Sequence, residues 1–117
     1  MVKVAITCNG TEPRNLFPVF VLGSAAAACG YEVVLFFTPG GASSLVKGEL
    51  EKIKAKGMPD ILELYESLLV LDGKILVCEL VLGAKDIKKE DFREEVKIVG
   101  AAGFLAEIKD AQITFSF

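Results

Sequence analysis

The run Lys74-Ile-Leu-Val-Cys-Glu-Leu-Val-Leu-Gly83 is apolar almost without interruption, follows Asp72-Gly73 and stops at a glycine. Its length of about eight residues and its lack of alternation predict a β-strand covered on both faces, as in the interior of a parallel sheet. Cys78 stands in the carboxyl-terminal part of that run. Open α/β sheets place their crevices and helix N-termini at this end of the strands, which makes Cys78 a candidate functional residue.

Upstream, residues 2–8 read as a first strand ending at the turn-forming pair Asn9-Gly10. The polar loop 9–15 follows, and Asn15 is expected to cap a helix that accepts Pro18 in its first turn. Residues 16–29 predict a helix apolar nearly all round, with Ala25-Ala-Ala-Ala28 allowing close backbone approach and Gly30 as the stop. Such a helix is expected to be buried on more than one side or to serve as an oligomer surface. Residues 31–38, containing Val33-Val-Leu-Phe-Phe37, predict a second interior strand.

Pro39-Gly-Gly-Ala-Ser-Ser44 is a glycine-rich loop after a strand, but it has neither GxGxxG spacing nor the Gly-Lys-Ser/Thr ending of a P-loop. A plain strand-to-helix turn is the preferred reading. Residues 45–56 predict a short surface helix or two turns ending at Gly57. After Pro59-Asp60, the positions Ile61, Leu62, Leu64, Tyr65, Leu68, Leu69 and Leu71 recur at helical spacing.

Downstream of Gly83, residues 86–95 form a charged segment, read as a short helical piece anchored by Ile87 and Phe92. Residues 96–99 then predict a short strand or extended link, 100–108 an Ala/Gly-rich helix, and 111–117 a closing strand in which Ile113, Phe115 and Phe117 alternate with Thr114 and Ser116. Strands joined through helices predict an α/β fold, a three-layer α/β/α sandwich on a mainly parallel five-stranded sheet.

A chain of 117 residues is expected to form one domain, 1–117, burying roughly two-thirds of its unfolded surface. It is 52% hydrophobic and 25% charged, with a mean hydropathy of +0.48, and the excess apolar surface predicts self-association. The net charge is -3 with acidic and basic residues mingled, so no nucleic-acid partner is expected. The amino terminus lacks the regions of a signal peptide, and the apolar stretch 16–30 is interrupted and too short for a membrane span. A cytoplasmic protein follows.

Three cysteines in that compartment are expected to be thiols, and none forms a CxxC pair. There is no histidine, which excludes Cys2His2 zinc, Cys-His nucleophiles and Ser-His-Asp triads. No metal and no organic cofactor is expected. Cys29, in the all-apolar helix, reads as packing. Cys8 ends a strand and reads as buried, although disulfide reach of Cys78 would open a two-cysteine exchange. Asn9, Thr11 and Arg14 form either a solvated loop or an anion-binding rim.

The order of pieces resembles the DsrE/DsrF family, which includes the TusD-type sulfur-relay subunits. The resemblance runs from the first strand and its polar loop through the alanine-rich helix, the Val-Val-Leu-Phe-Phe strand and the cysteine strand to Asp110-Ala-Gln-Ile-Thr-Phe115. It implies a parallel five-stranded fold, assembly into dimers, trimers or hexamers, and, in active members, a cysteine that carries sulfane sulfur as a persulfide. Here Cys78, in Val77-Cys78-Glu79, matches that position.

Three functional readings follow. In the first, Cys78 carries sulfur between a protein donor and a protein acceptor, its reactivity set by its thiolate fraction. This reading expects a solvent-reachable thiol beside an electropositive or N–H-lined cavity, with Lys85, Lys88, Glu79 and Asp86 as the nearby charges in sequence. In the second, the chain is a non-enzymatic oligomeric binding or scaffolding protein with a sealed, structural Cys78 and its largest pocket elsewhere. In the third, residues 39–44 bind a nucleotide or flavin phosphate.

Overall fold

A computed structural model describes residues 1–117. Five parallel strands, β1 (Lys3–Cys8), β2 (Glu32–Phe37), β3 (Lys74–Cys78), β4 (Val96–Val99) and β5 (Ile113–Ser116), form one sheet in the order β4-β3-β2-β1-β5. Helix α1 (Pro13–Ala28) joins β1 to β2, and the short α2 (Pro39–Ala42) and α3 (Ile61–Val70) lie between β2 and β3. The four-residue α4 (Val81–Ala84) follows β3, and α5 (Ala101–Ile108) joins β4 to β5. The α/β class and the parallel five-stranded sheet agree with the expectation from sequence.

Side chains alternate across the sheet and so divide between two cores. Val4, Ile6, Cys8, Val33, Leu35, Phe37, Ile75 and Val77 belong to the larger core, which also takes in Leu16, Phe20, Tyr65 and Leu68 of α1 and α3. Phe20 is its aromatic centre, 5.8 Å from Tyr65 and 5.9 Å from Phe37 between ring centroids. On the other face Val34, Phe36, Leu76 and Cys78 meet the one buried residue of α5, Phe104, whose ring stacks on Phe36 at 4.1 Å, while half-buried Ile108 of the same helix packs against the cluster. Both faces of β2 and β3 are therefore dry, which explains why their sequences hardly alternate.

Several local expectations change. The apolar run 74–83 is not one strand: β3 ends at Cys78, and the chain then turns into α4. Val81 is buried in the larger core while Leu80 and Leu82 face solvent, so the second half of the run is apolar for a different reason than the first. Helix α1 begins at Pro13, and its N-cap is Glu12; Asn15 completes a capping box by accepting the Glu12 backbone N–H at 3.3 Å. Proline at the first helical position leaves no orphan donor there, which favours this earlier start. Pro18 consequently lies inside the helix and not in its first turn.

Of the two alternatives for residues 45–56, the structure takes the turns and not the surface helix: the 3-10 turn Ser43–Leu45 is followed by a second, Leu50–Lys52, and Leu45 and Leu50 are both drawn fully into the core. Residues 86–95 likewise contain only the 3-10 turn Lys89–Asp91, and the two segments meet at an isolated antiparallel bridge between Val46 and Phe92. Arg93 fastens this corner: its guanidinium sits 4.9 Å above the Tyr65 ring and donates to Glu51 at 3.1 Å. The Tyr65 hydroxyl donates to Glu95 at 2.9 Å, and burial, aided by that carboxylate, pushes the phenol far above its ordinary range.

Candidate functional site

Cys78 is the last residue of β3, one strand in from the β4 edge, at the carboxyl end of the sheet. Its register partner is Val99, and the Glu79 N–H donates to the Val99 carbonyl at 2.9 Å, which holds the β3 terminus against the start of α5. The thiol points into the smaller core with Val34, Phe36, Leu76 and Phe104, and Cys78 is 5% exposed. Cys78 lines none of the five main surface cavities. The expected solvent-reachable thiol beside an open cavity is therefore absent from this conformation. The cover is an apolar cluster, to which α5 contributes Phe104.

That cover is held unevenly. At the carboxyl end of α5, Lys3 Nζ donates to the Glu107 carbonyl and to Asp110, each at 2.8 Å, and Lys74 pairs with Glu107. These contacts hold the carboxyls of Glu107 and Asp110 below their ordinary range. At the amino end, above Cys78, Ala101, Ala102 and Gly103 are exposed and Phe104 is the only buried residue of the helix. Glu79 lies there too, its Oε1 3.0 Å from where a Cβ on Gly100 would stand. Glu79, Lys85, Asp86 and Lys88 are all exposed.

The structure separates the three cysteines. Cys8 pairs in register with Phe37 and Phe37 with Val77, so Cys8 and Cys78 point to opposite faces with β2 between their strands. Two strand spacings put them about 10 Å apart, beyond the roughly 7 Å that a disulfide allows. The two-cysteine exchange is excluded on this geometry. Cys8 is fully buried, its thiol donates to the Gly10 carbonyl at 3.3 Å, and burial pushes its pKa up. Cys29 is exposed and does not pack in the core as its sequence context implied: it caps the carboxyl end of α1, where Gly30 turns away at φ 84°.

The glycine-rich loop also has a local explanation. Its chain runs across the end of β1 so closely that a Cβ on Gly41 would lie 2.6 Å from the Cys8 carbonyl oxygen, and one on Gly40 2.7 Å from that of Asn9. The Thr38 N–H donates to the Cys8 carbonyl at 3.1 Å, and the Gly41 and Ala42 N–H groups donate to the Thr38 carbonyl at 2.9 Å. With those donors engaged inside the segment, it presents no cradle for a phosphate; the expected strand-to-helix turn is itself the single helical turn α2. In the first loop Arg14 is paired with Glu12 at 2.8 Å, and Asn9 with Thr38. Sequence reasoning missed a cavity beside this loop, reached through Thr11 and Ser44. Its one sequence signal was a serine among residues that are otherwise core.

A parallel α/β protein with a sheltered thiol at the end of an inner strand is the class that fold and site define. The DsrE/DsrF-like family matches residues 2–117, and the chain belongs to that family. It is 27% identical over 142 aligned positions to the sulfur carrier protein DsrE2 of Allochromatium vinosum, covering 87% of this chain and 89% of that protein. It is also 29% identical over 101 residues to the uncharacterized protein MJ0760 of Methanocaldococcus jannaschii, covering 86% of this chain and only 37% of that longer protein. Among solved structures, the YchN protein of E. coli superposes with a TM-score of 0.80 at 18% identity, covering the whole of both chains. The protein of unknown function MTH1491 from Methanobacterium thermoautotrophicum superposes with a TM-score of 0.73 at 11% identity, covering 98% of this chain and 97% of that one. These two likenesses establish the fold.

Proposed function

We propose that this protein is a cytoplasmic sulfur carrier that holds sulfane sulfur on Cys78. The observation that carries the reading is the position of Cys78: it ends an inner strand at the carboxyl edge of the sheet, under the less anchored end of α5, in a chain related along most of its length to a sulfur carrier. In the step itself the Cys78 thiolate attacks the outer sulfur of a donor protein persulfide. The new S–S bond forms as the donor's S–S bond breaks, and the donor leaves as a thiolate. An acceptor thiolate then attacks the outer sulfur on Cys78 and releases Cys78 as a thiolate. No net oxidation occurs, and the apolar surroundings keep water and bulk thiols from the persulfide between the two steps.

Access requires the amino-terminal part of α5 to lift, with Phe104 as the latch on Phe36. Replacing Phe104 by alanine is expected to raise the alkylation rate of Cys78 by about tenfold, because it removes the stacked pair that opposes opening. Peptide mapping after iodoacetamide treatment reads each cysteine separately. An unchanged Cys78 rate in a well-folded variant would sink the latch. The second reading, a scaffold with a structural thiol, is favoured by one observation: Cys78 is sealed in an apolar cluster away from every main cavity. The deciding experiment is intact-mass analysis after incubation with a persulfide donor.

In either reading the chain works as a homo-oligomer. The outer side of α5 carries Ala101, Ala102, Leu105 and Ala106 without a charge, and Leu80 stands 67% exposed beside Cys78. Light scattering is expected to give a dimer, trimer or hexamer. A monomer mass that holds across concentrations would remove this part of the proposal.

A further inference from the structure

We propose that the cavity over the carboxyl ends of β1 and β2 binds a small organic ammonium compound. The cavity has a volume of about 430 Å³, within the range of small-molecule sites. It lies at the carboxyl end of the sheet, between the loops that leave β1 and β2. Val46, Ile53 and Ile87 form its apolar wall and pack against the larger core. Cys78 belongs to the other core and does not line the cavity.

The polar groups set the ligand class. Ser44 is the one buried polar or charged residue of the protein, 3% exposed, and it lines this cavity. Its hydroxyl donates to the Gly41 carbonyl at 2.7 Å, so toward a ligand Ser44 is left as an acceptor. Thr11 and Ser43 add hydroxyls at the rim, and Glu49 adds the only charged group of the lining, a carboxylate. No lysine or arginine lines the cavity. Hydroxyls beside one negative charge and an apolar wall suit a hydrogen-bond-donating cation with an alkyl body, and the carboxylate, with no cation to offset it in the lining, disfavours phosphates, carboxylates and persulfides. Lys52 already shows the pairing: its ammonium lies 3.1 Å from Glu49 Oε1 on a side chain that is 69% exposed. An ion pair so exposed holds weakly and is readily exchanged.

The test is titration of the uniformly labelled protein with n-pentylammonium, 1-pentanol and pentanoate, followed through the backbone amides of Ser43, Ser44, Glu49, Ile53 and Ile87. Pentylammonium is expected to shift these resonances with a dissociation constant on the order of 1 mM, as suits so small a ligand. Glu49→Gln, a surface change that leaves the core intact, is expected to weaken pentylammonium by roughly fivefold and pentanol not at all. Three results would each overturn the proposal: no shift at these residues with any probe, equal binding of pentanol and pentylammonium, or tighter binding of pentanoate.

Discussion

Replacing Cys78 by serine is expected to abolish sulfur loading while the fold is kept. The substitution leaves the side-chain shape nearly unchanged but puts a hydroxyl among Val34, Phe36, Leu76 and Phe104, where no partner awaits it. The cost is about 1 kcal/mol, small beside the stability of a domain of this size. The chemistry is lost outright, because a serine hydroxyl cannot accept sulfane sulfur in a thiol-persulfide exchange. The comparison belongs in a Cys29→Ser background, since Cys29 is exposed and competes for any donor. In that background the parent is expected to gain one sulfur atom by intact mass and the Cys78→Ser variant none. Equal gain in both would move the site to Cys8 or dismiss carriage by Cys78, and no gain in either would favour the scaffold reading.

Gly41→Ala is expected to destabilise the protein by about 3 kcal/mol, the upper range for overpacking a rigid site, and to lower the melting temperature by roughly 10 °C. The added Cβ would stand 2.6 Å from the Cys8 carbonyl oxygen and 3.2 Å from the Gly10 nitrogen. Both are backbone atoms, and Cys8 is tied into β1, so no side-chain rotation relieves the contact. Gly83→Ala is the control: nothing lies within 4 Å of its Cβ position, and its effect is expected to stay under about 1 kcal/mol. Thermal denaturation followed by circular dichroism measures both. A Gly41→Ala protein that melts with the parent would show that the glycine pair is not set by this close approach, and would reopen a ligand role for the loop.

Much of the architecture was legible before any coordinates. The unbroken apolar runs of β2 and β3 announced a sheet covered on both faces, and Gly30 marked the end of α1; the cap of α3, Asp60, went unread although its chemistry is equally local. Asp60 accepts the Leu62 N–H at 3.0 Å, a contact that needs no tertiary partner. The site was legible only as a residue. Cys78 was singled out by its place in a strand, yet an apolar run continuing to Gly83 hid the turn directly after it. Hydropathy at Val81 is the same whether that side chain enters the core from a strand or from a helix.

The linear pattern by itself determined that this chain builds a parallel α/β sheet and that Cys78 stands in an inner strand, because side-chain periodicity and capping are local properties. Only the tertiary structure decided that Cys8 and Cys78 face opposite sides of the sheet, that Cys29 is in solvent, and that α5 closes over the thiol. It also decided that Gly41 serves a backbone contact and that Ser44 opens into a cavity. Each of these depends on which segments distant in sequence are brought within a few ångströms of one another, and that is a property of the register and crossover of the strands, set by the whole core at once.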